Sequence, residues 1–206
     1  VRIEPEPTPW HVVIPVKHAH LAKSRLAPPP PLSRPELARA VARDTLEAVC
    51  RAVPPDQVTV VTSDLDAAGA AAGLGAAVVP DPDEGLDAAV RAGLAASAGP
   101  WFAVLLGDLP TLTPAELNAA LDACAAYPSA VVPDAQGSGT VLLTSTQGHP
   151  EPRFGAGSAA RHASTATLLP LDLPRLRRDV DTWADLGEAL ALGLGPATRA
   201  ALAHLE

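Results

Sequence analysis

Trp10-His-Val-Val-Ile-Pro-Val16, followed by Lys17, is a short β-branched run closed by polar residues, and it reads as a buried strand. A loop follows through Pro31, and Ser33 with Pro35 opens a helix to about Val53, its apolar positions Leu37, Val41 and Leu46 to Val49 recurring at helical spacing. The alternation then repeats: strand Gln57 to Thr62, helix Leu65 to Ala72, strand Ala76 to Val79, helix Leu86 to Ser97, strand Trp101 to Leu106. Thr113, Pro114 and Glu116 make a capping-box start for a helix ending near Tyr127, before a strand at Ala130 to Pro133. Parallel neighbours need a crossover and a helix fills it, so this rhythm predicts an α/β three-layer sandwich around a mostly parallel sheet.

After Gly139 the rhythm changes. Thr140 to Thr144 reads as a strand able to pair antiparallel, and a long loop leads to a short helix from Ser158. Thr182 and Asp185 imitate a capping box before a helix to about Leu192, and Pro196 opens a final one. The last third is expected to build a lid or an edge.

The 206 residues, 48% of them apolar, suit one compact domain. We expect a flexible N-terminal segment at 1–9 and a single domain over 10–206. There is no apolar run of about 18 residues, and Val1 to Pro9 is rich in Pro and Glu, so neither a membrane span nor a signal peptide is indicated and a cytoplasmic location is expected. Cys50 and Cys124 lie in Ala-rich helical stretches far from any CxxC spacing and read as small buried apolar residues. The net charge of −8 argues against nucleic-acid binding, because phosphate backbones need a basic face. Anionic ligands therefore require positive charge gathered locally. Both lysines of the chain, Lys17 and Lys23, fall in one segment with Arg25.

In open α/β sheets ligands lie beyond the carboxyl ends of the strands. Here those ends run into Pro15, Lys17, Lys23, Ser24 and Arg25, then Ser63 and Asp64, then Asp81 to Gly85, then Gly107 and Asp108. Asp108, between an apolar strand and Pro110, is a carboxylate placed where a divalent ion can meet nucleotide phosphates; a turn or cap aspartate is the other reading. Asp179 and Asp181 can complete an oxygen-rich magnesium site or belong to a helix-capping loop. Gly137-Ser-Gly-Thr140 and Phe154-Gly-Ala-Gly-Ser158 have the parts of an anion nest. His18, His20 and His162 lack the spacing of a zinc site, and neither a GxxxxGK[ST] loop nor a GxSxG elbow is present.

Taken in order, Ile14-Pro-Val-Lys17, Ala22-Lys-Ser-Arg-Leu26, Gly107-Asp-Leu-Pro110, Gly137-Ser-Gly-Thr140, Phe154-Gly-Ala-Gly-Ser158 with His162, and Asp179-Val-Asp-Thr182 with Asp185-Leu186 resemble one family throughout. It is the 2-phospholactate or phosphoenolpyruvate guanylyltransferase family of coenzyme F-420 biosynthesis. The resemblance implies a nucleotidyltransferase-type Rossmann-like fold, GTP as a partner and Mg2+ as cofactor. It puts Lys17, Lys23 and Arg25 on the triphosphate, with Lys23 and Arg25 as the catalytic cations over the leaving pyrophosphate. Pro15, Ser63, Asp64, Gly85, Leu86 and Asp87 fall to the nucleotide, and Thr140, Gly155 and Ser158 to a phosphorylated three-carbon acid. Asp108 binds the metal with Asp181 or Asp179. Two departures stand out: Asp87 replaces a usual Asn, and Gly107 replaces a small residue such as Ala, a change that reads as sterically mild.

Ala, Pro and Arg are abundant, as in a high-GC coding background, and on that background the resemblance implies phosphoenolpyruvate as the acid. The alternatives are 2-phospho-L-lactate and 3-phosphoglycerate. A nucleotidyltransferase for a sugar phosphate or a pterin cofactor, and a non-catalytic nucleotide-binding protein, are the rival functions. The guanylylated product is expected to be labile, so the next enzyme of the pathway is a candidate partner; the oligomeric state stays open.

Overall fold

The computed structural model describes residues 8–21 and 25–205. Its centre is β1 (Trp10–Pro15), with all six residues buried. β2 (Val58–Val61) and β4 (Trp101–Leu105) flank β1 in parallel, and β3 (Ala77–Val79) extends the sheet beyond β2. On the other side follow β6 (Thr140–Ser145), β5 (Ser129–Pro133) and β7 (Thr167–Leu168), giving the order β3-β2-β1-β4-β6-β5-β7. Among the described strands only β6 runs against its neighbours.

Helices α1 (Arg34–Ala52), α2 (Leu65–Leu74) and α4 (Pro114–Cys124) cover one face, packing on Trp10, Val12 and Ile14. Helix α3 (Leu86–Ala96) covers the other, its Ala89, Val90 and Leu94 meeting Val13, Val61 and Val104. Helix α5 (Ser158–Ala163) lies on that side too, with Phe154 and Ala163 against the same cluster. The three-layer mostly parallel architecture is thus as the alternation predicts. Alternate β1 side chains enter opposite layers because strand side chains alternate with period two.

Local signals hold where they are self-contained. Ser33 and Glu36 form a full capping box on α1, and Thr182 and Asp185 form one on α6 (Trp183–Leu192). Helix α4 differs. Thr113 accepts from Glu116 N, but the Glu116 carboxylate accepts from Leu176 N at 2.8 Å instead of returning to the cap. A tertiary partner therefore takes half of the expected box.

The last third does build a sheet edge, but through β7 and not through β6. β6 lies inside the sheet with every residue buried, because β5 returns beyond it and leaves a gap between β4 and β5. The edge is β7, two exposed residues with no periodicity to announce them. Helices α6 and α7 (Pro196–Leu202) dock beside α1. There the buried Asp44 carboxylate accepts from Ala197 N and Thr198 N, each at 2.8 Å. Cys50 and Cys124 are buried as read, and burial pushes the Cys50 thiol up to about 11.

One contact sets the spacing of α3 on the sheet. A Cβ on Gly93 would lie 2.4 Å from Val13 Cγ1 and 2.6 Å from Val61 Cγ2. Ala in place of a helical Gly gains about 0.5–1 kcal/mol, but overpacking two buried strands costs about 1–3 kcal/mol. Gly93→Ala should therefore lower the urea unfolding midpoint with an unchanged slope.

Candidate active site

Because β1 to β4 are parallel, their carboxyl ends collect on one rim, and β6 brings its amino end there by running in reverse. Thr140, the first residue of β6, pairs with Pro133 at the end of β5. This reversal places Thr140 at the same end of the sheet as the loops after β1 and β4, with its buried hydroxyl against His162 of α5.

After β1, Pro15 is buried and Lys17 exposed. Lys23 lies outside the described residues. Arg25 donates from Nη2 to Asp181 Oδ2 at 2.7 Å. Both side chains are exposed, and such a pair is worth about 0–1 kcal/mol, so it is weakly held.

The loop after β4 meets β1 through Gly107. A Cβ there would sit 3.0 Å from Pro15 O and 2.9 Å from Val16 Cγ2, so this glycine is not a mild replacement. Any side chain requires the two strand ends to part. Thr45 Oγ1 accepts from Leu109 N at 3.0 Å and ties the same loop to α1. Asp108 O accepts from Val180 N at 3.2 Å. That bond carries Asp179 and Asp181, the neighbours of Val180, to the Asp108 strand end. Asp185 Oδ2 then accepts from Asp181 N at 3.1 Å and Thr182 N at 2.7 Å, fixing the segment.

Among the described residues no group of three or more His, Cys, Asp or Glu side chains forms a ready metal cage. A divalent ion held by one or two carboxylates, with phosphate and water oxygens completing its shell, needs no such cage.

After β2, Ser63 Oγ donates to Asp81 O at 3.2 Å and is exposed. Asp64 is buried, and its carboxylate accepts from Ala19 N at 3.0 Å and from Asp66 N and Ala67 N at 3.1 Å. Burial pushes its carboxyl up, but the N–H groups of Ala19 and Ala67 with the charges of Arg39 and His18 outweigh this and hold it below the usual carboxylate range. Asp64 thus caps α2 and pins the loop after β1. Gly85, with φ +96°, precedes α3, and Leu86 is half exposed beside it. Asp87 Oδ1 accepts from Phe154 N at 2.8 Å, which joins this turn to the glycine loop before α5.

In that loop Gly155 (φ +104°) and Gly157 (φ +71°) take left-handed conformations and are exposed, while Ser158 beneath them is buried. Ser158 N donates to Gly155 O and Ala159 N to Ser138 O, so the Gly137–Thr140 and Gly155–Ser158 segments meet at the start of α5. Asp134 holds the first segment by accepting from Ser138 N and Gly139 N. Arg161 holds the second by donating to the carbonyls of Arg153, Phe154 and Ala156. His162, only 1% exposed, lies 2.9 Å from Thr140 Oγ1 through Nδ1, and its Nε2 accepts from Arg153 N at 2.9 Å. Asp134 and Arg161 escape sequence reasoning, since a lone Asp or Arg near a Gly loop reads as solvated, and His162 is legible there only as a motif residue without a role.

Residues 36–158 match the MobA-like NTP transferase domain family. A phosphoenolpyruvate guanylyltransferase of Salinispora arenicola is 50% identical over 195 residues, covering 92% of this chain and 91% of the relative. The chain belongs to the phosphoenolpyruvate guanylyltransferase family. The Geodermatophilus obscurus enzyme of the same name is 47% identical, covering 94% of each chain. Among solved structures, a nucleotidyl transferase from Methanothermobacter thermautotroptrophicus has TM-score 0.60 at 17% identity, covering 89% of this chain and 97% of that one. The manganese complex of Rv0371C from Mycobacterium tuberculosis has TM-score 0.56 at 22% identity, covering 88% and 97%. These two share the nucleotidyltransferase fold. Among the described residues no helix is long and apolar enough to cross a membrane.

Burial lowers the His162 pKa from 6.5 to about 4, Asp87 opposing and Arg161 and Arg153 assisting. Between those values the unfolded chain binds the extra proton, so stability is full above about pH 6.5 and falls as the pH drops toward 4. Burial lowers His11 as well, and the depressed Asp64 and Asp185 carboxyls add losses only below their ordinary value of 3.8. Urea midpoints should therefore decline from pH 7 to pH 4.5, and His162→Asn should make the decline shallower, with His11 supplying the remainder.

Proposed function

We propose that this chain transfers GMP from GTP to phosphoenolpyruvate, giving enolpyruvoyl-2-diphospho-5'-guanosine and pyrophosphate, a step of coenzyme F-420 biosynthesis. The observation that carries the reading of the site is the hydrogen bond from Val180 N to Asp108 O, which ties the segment bearing Asp179 and Asp181 to the strand end bearing Asp108. The names of the relatives support the two substrates.

In this reading Pro15, Lys17, Ser63, Gly85 and Leu86 line the nucleotide side, with Lys23 and Arg25 over the leaving pyrophosphate. Asp64 serves that side by holding the loop after β1 through Ala19 N, and Asp87 ties the turn before α3 to the glycine loop of the acid side through Phe154 N. Thr140, Gly155 and Ser158 hold the acid. A phosphate oxygen of the acid attacks the α-phosphorus in line, the bond to the β-phosphate bridge breaks, and pyrophosphate departs. The nucleophile is already ionised, so positioning and charge neutralisation do the catalysis without a general base. Asp108 with Asp181 or Asp179 would hold Mg2+, which supplies neutralising charge for the phosphates. Manganese on a structural relative of the same fold is in keeping with a divalent ion. Both substrates are metabolites of the cytoplasm, where we place the enzyme, and a labile product favours hand-over to the next enzyme of the pathway.

Pyrophosphate release with GTP and phosphoenolpyruvate tests the reading, with 2-phospho-L-lactate, 3-phosphoglycerate and ATP as comparisons; equal turnover with ATP or with the other acids overturns the substrate assignment. Asp108→Asn keeps volume and removes charge, so kcat should fall by about 10²-fold or more while the unfolding midpoint stays within error. Ser158→Ala removes one donor worth about 0.5–3 kcal/mol, so KM for phosphoenolpyruvate should rise about two- to 150-fold with KM for GTP nearly fixed. Parallel loss of both substrates would instead assign the loop to the nucleotide or the fold.

A further inference from the structure

We propose that His162 is a positioning residue for the phosphoacid, held as the neutral Nδ1–H tautomer between Arg153 N and Thr140 Oγ1 so that the Thr140 hydroxyl is obliged to donate to the acid. The inference rests on the reading that Thr140 contacts the phosphoacid and adds how its hydroxyl is oriented.

The tautomer follows from the two partners. A backbone N–H can only donate, so the 2.9 Å contact from Arg153 N fixes a lone pair on Nε2. In the neutral ring the one proton then sits on Nδ1, 2.9 Å from Thr140 Oγ1, which becomes an acceptor. The Thr140 hydroxyl hydrogen is thereby free to point away from the ring, and an oxyanion is its best partner. The opposite arrangement, Thr140 donating to Nδ1, requires a proton on Nε2 facing the Arg153 N–H, two donors in contact.

The surroundings enforce the neutral form. His162 is buried on α5, with the Phe154 ring edge-on at 4.9 Å between centroids. Asp87 from α3 faces it with negative charge, and Arg161 and Arg153 with positive charge. The same ring therefore couples three pieces of the pocket: β6 through Thr140, the glycine loop through Arg153, and α5, which carries Ser158. Asp87, accepting from the next backbone N–H at Phe154, holds the loop from its other side.

A hydroxyl left free to donate to the acid predicts an effect on the acid and not on the nucleotide. His162→Leu removes both bonds and should raise KM for phosphoenolpyruvate about tenfold with KM for GTP within about twofold. His162→Asn can return an amide N–H to Thr140 in place of Nδ1 and should recover most of the loss. In a Thr140→Val background the His162→Leu change should add little, because the group through which it acts is gone. Equal effects of His162→Leu in both backgrounds, or KM values for both substrates rising together, overturn the proposal in favour of plain support of the fold. Imidazole 15N spectra of the wild-type protein give a second reading that does not depend on a variant folding: a proton on Nδ1 supports the inference, and one on Nε2 overturns it. If Thr140→Val alone leaves KM for phosphoenolpyruvate unchanged while His162→Leu still raises it, the placement of Thr140 on the acid fails, and the inference falls with it.

Discussion

β1 hydrogen-bonds to parallel partners on both sides, and a parallel partner is reachable only by a crossover over the sheet. Each crossover returns the chain to the same starting edge, so each strand exit in this half of the molecule lies on one rim. The loops after β1, β2, β3 and β4 have no other place to go. The single reversal at β6 then brings Thr140, a strand's first residue, to the ends of the others. Two substrates can meet on a chain of this length because this pairing decides where its loops open.

What turns a rim of loops into a site is the allocation of backbone hydrogen-bonding groups to side chains from other elements. Asp64 takes three N–H groups from the loop after β1 and the first turn of α2. Asp134 takes two, and Arg161 supplies donors to three carbonyls of the glycine loop. Asp87 and His162 accept from two successive N–H groups of that loop. An exposed glycine loop otherwise has great conformational freedom, and each of these bonds removes part of it before a ligand arrives. The glycines remain necessary for their left-handed turns, while the side chains around them select one shape.

The electrostatic arrangement follows the same division. A chain of net charge −8 binding polyanions must confine its cations to the rim and hold its carboxylates in bonds or at a metal. Arg25 on Asp181 is an exposed and weakly held pair, whereas Asp64 and Asp185 are locked by several donors each. Carboxylates of similar appearance in sequence therefore differ in how tightly they are held.

The sequence by itself determined the alternation of strands and helices, the buried β1, the helix start at Ser33, the capping box at Thr182, and the rim on which the polar loops open. These are encoded in periodicity and in contacts a few residues apart, so neighbouring side chains suffice to specify them. The motif resemblance carried the substrates and the site residues as far as their names. Only the tertiary structure decided that Glu116 caps Leu176 N rather than its own helix, that Gly107 is closely packed, that Asp64 and Asp87 hold loops, and that β6 lies inside the sheet. His162 is the clearest instance. Its neutral tautomer depends on Arg153 N and Thr140 Oγ1 arriving on opposite sides of one buried ring. A hydrogen bond between distant residues is a matter of approach through space, and no spacing along the chain encodes it.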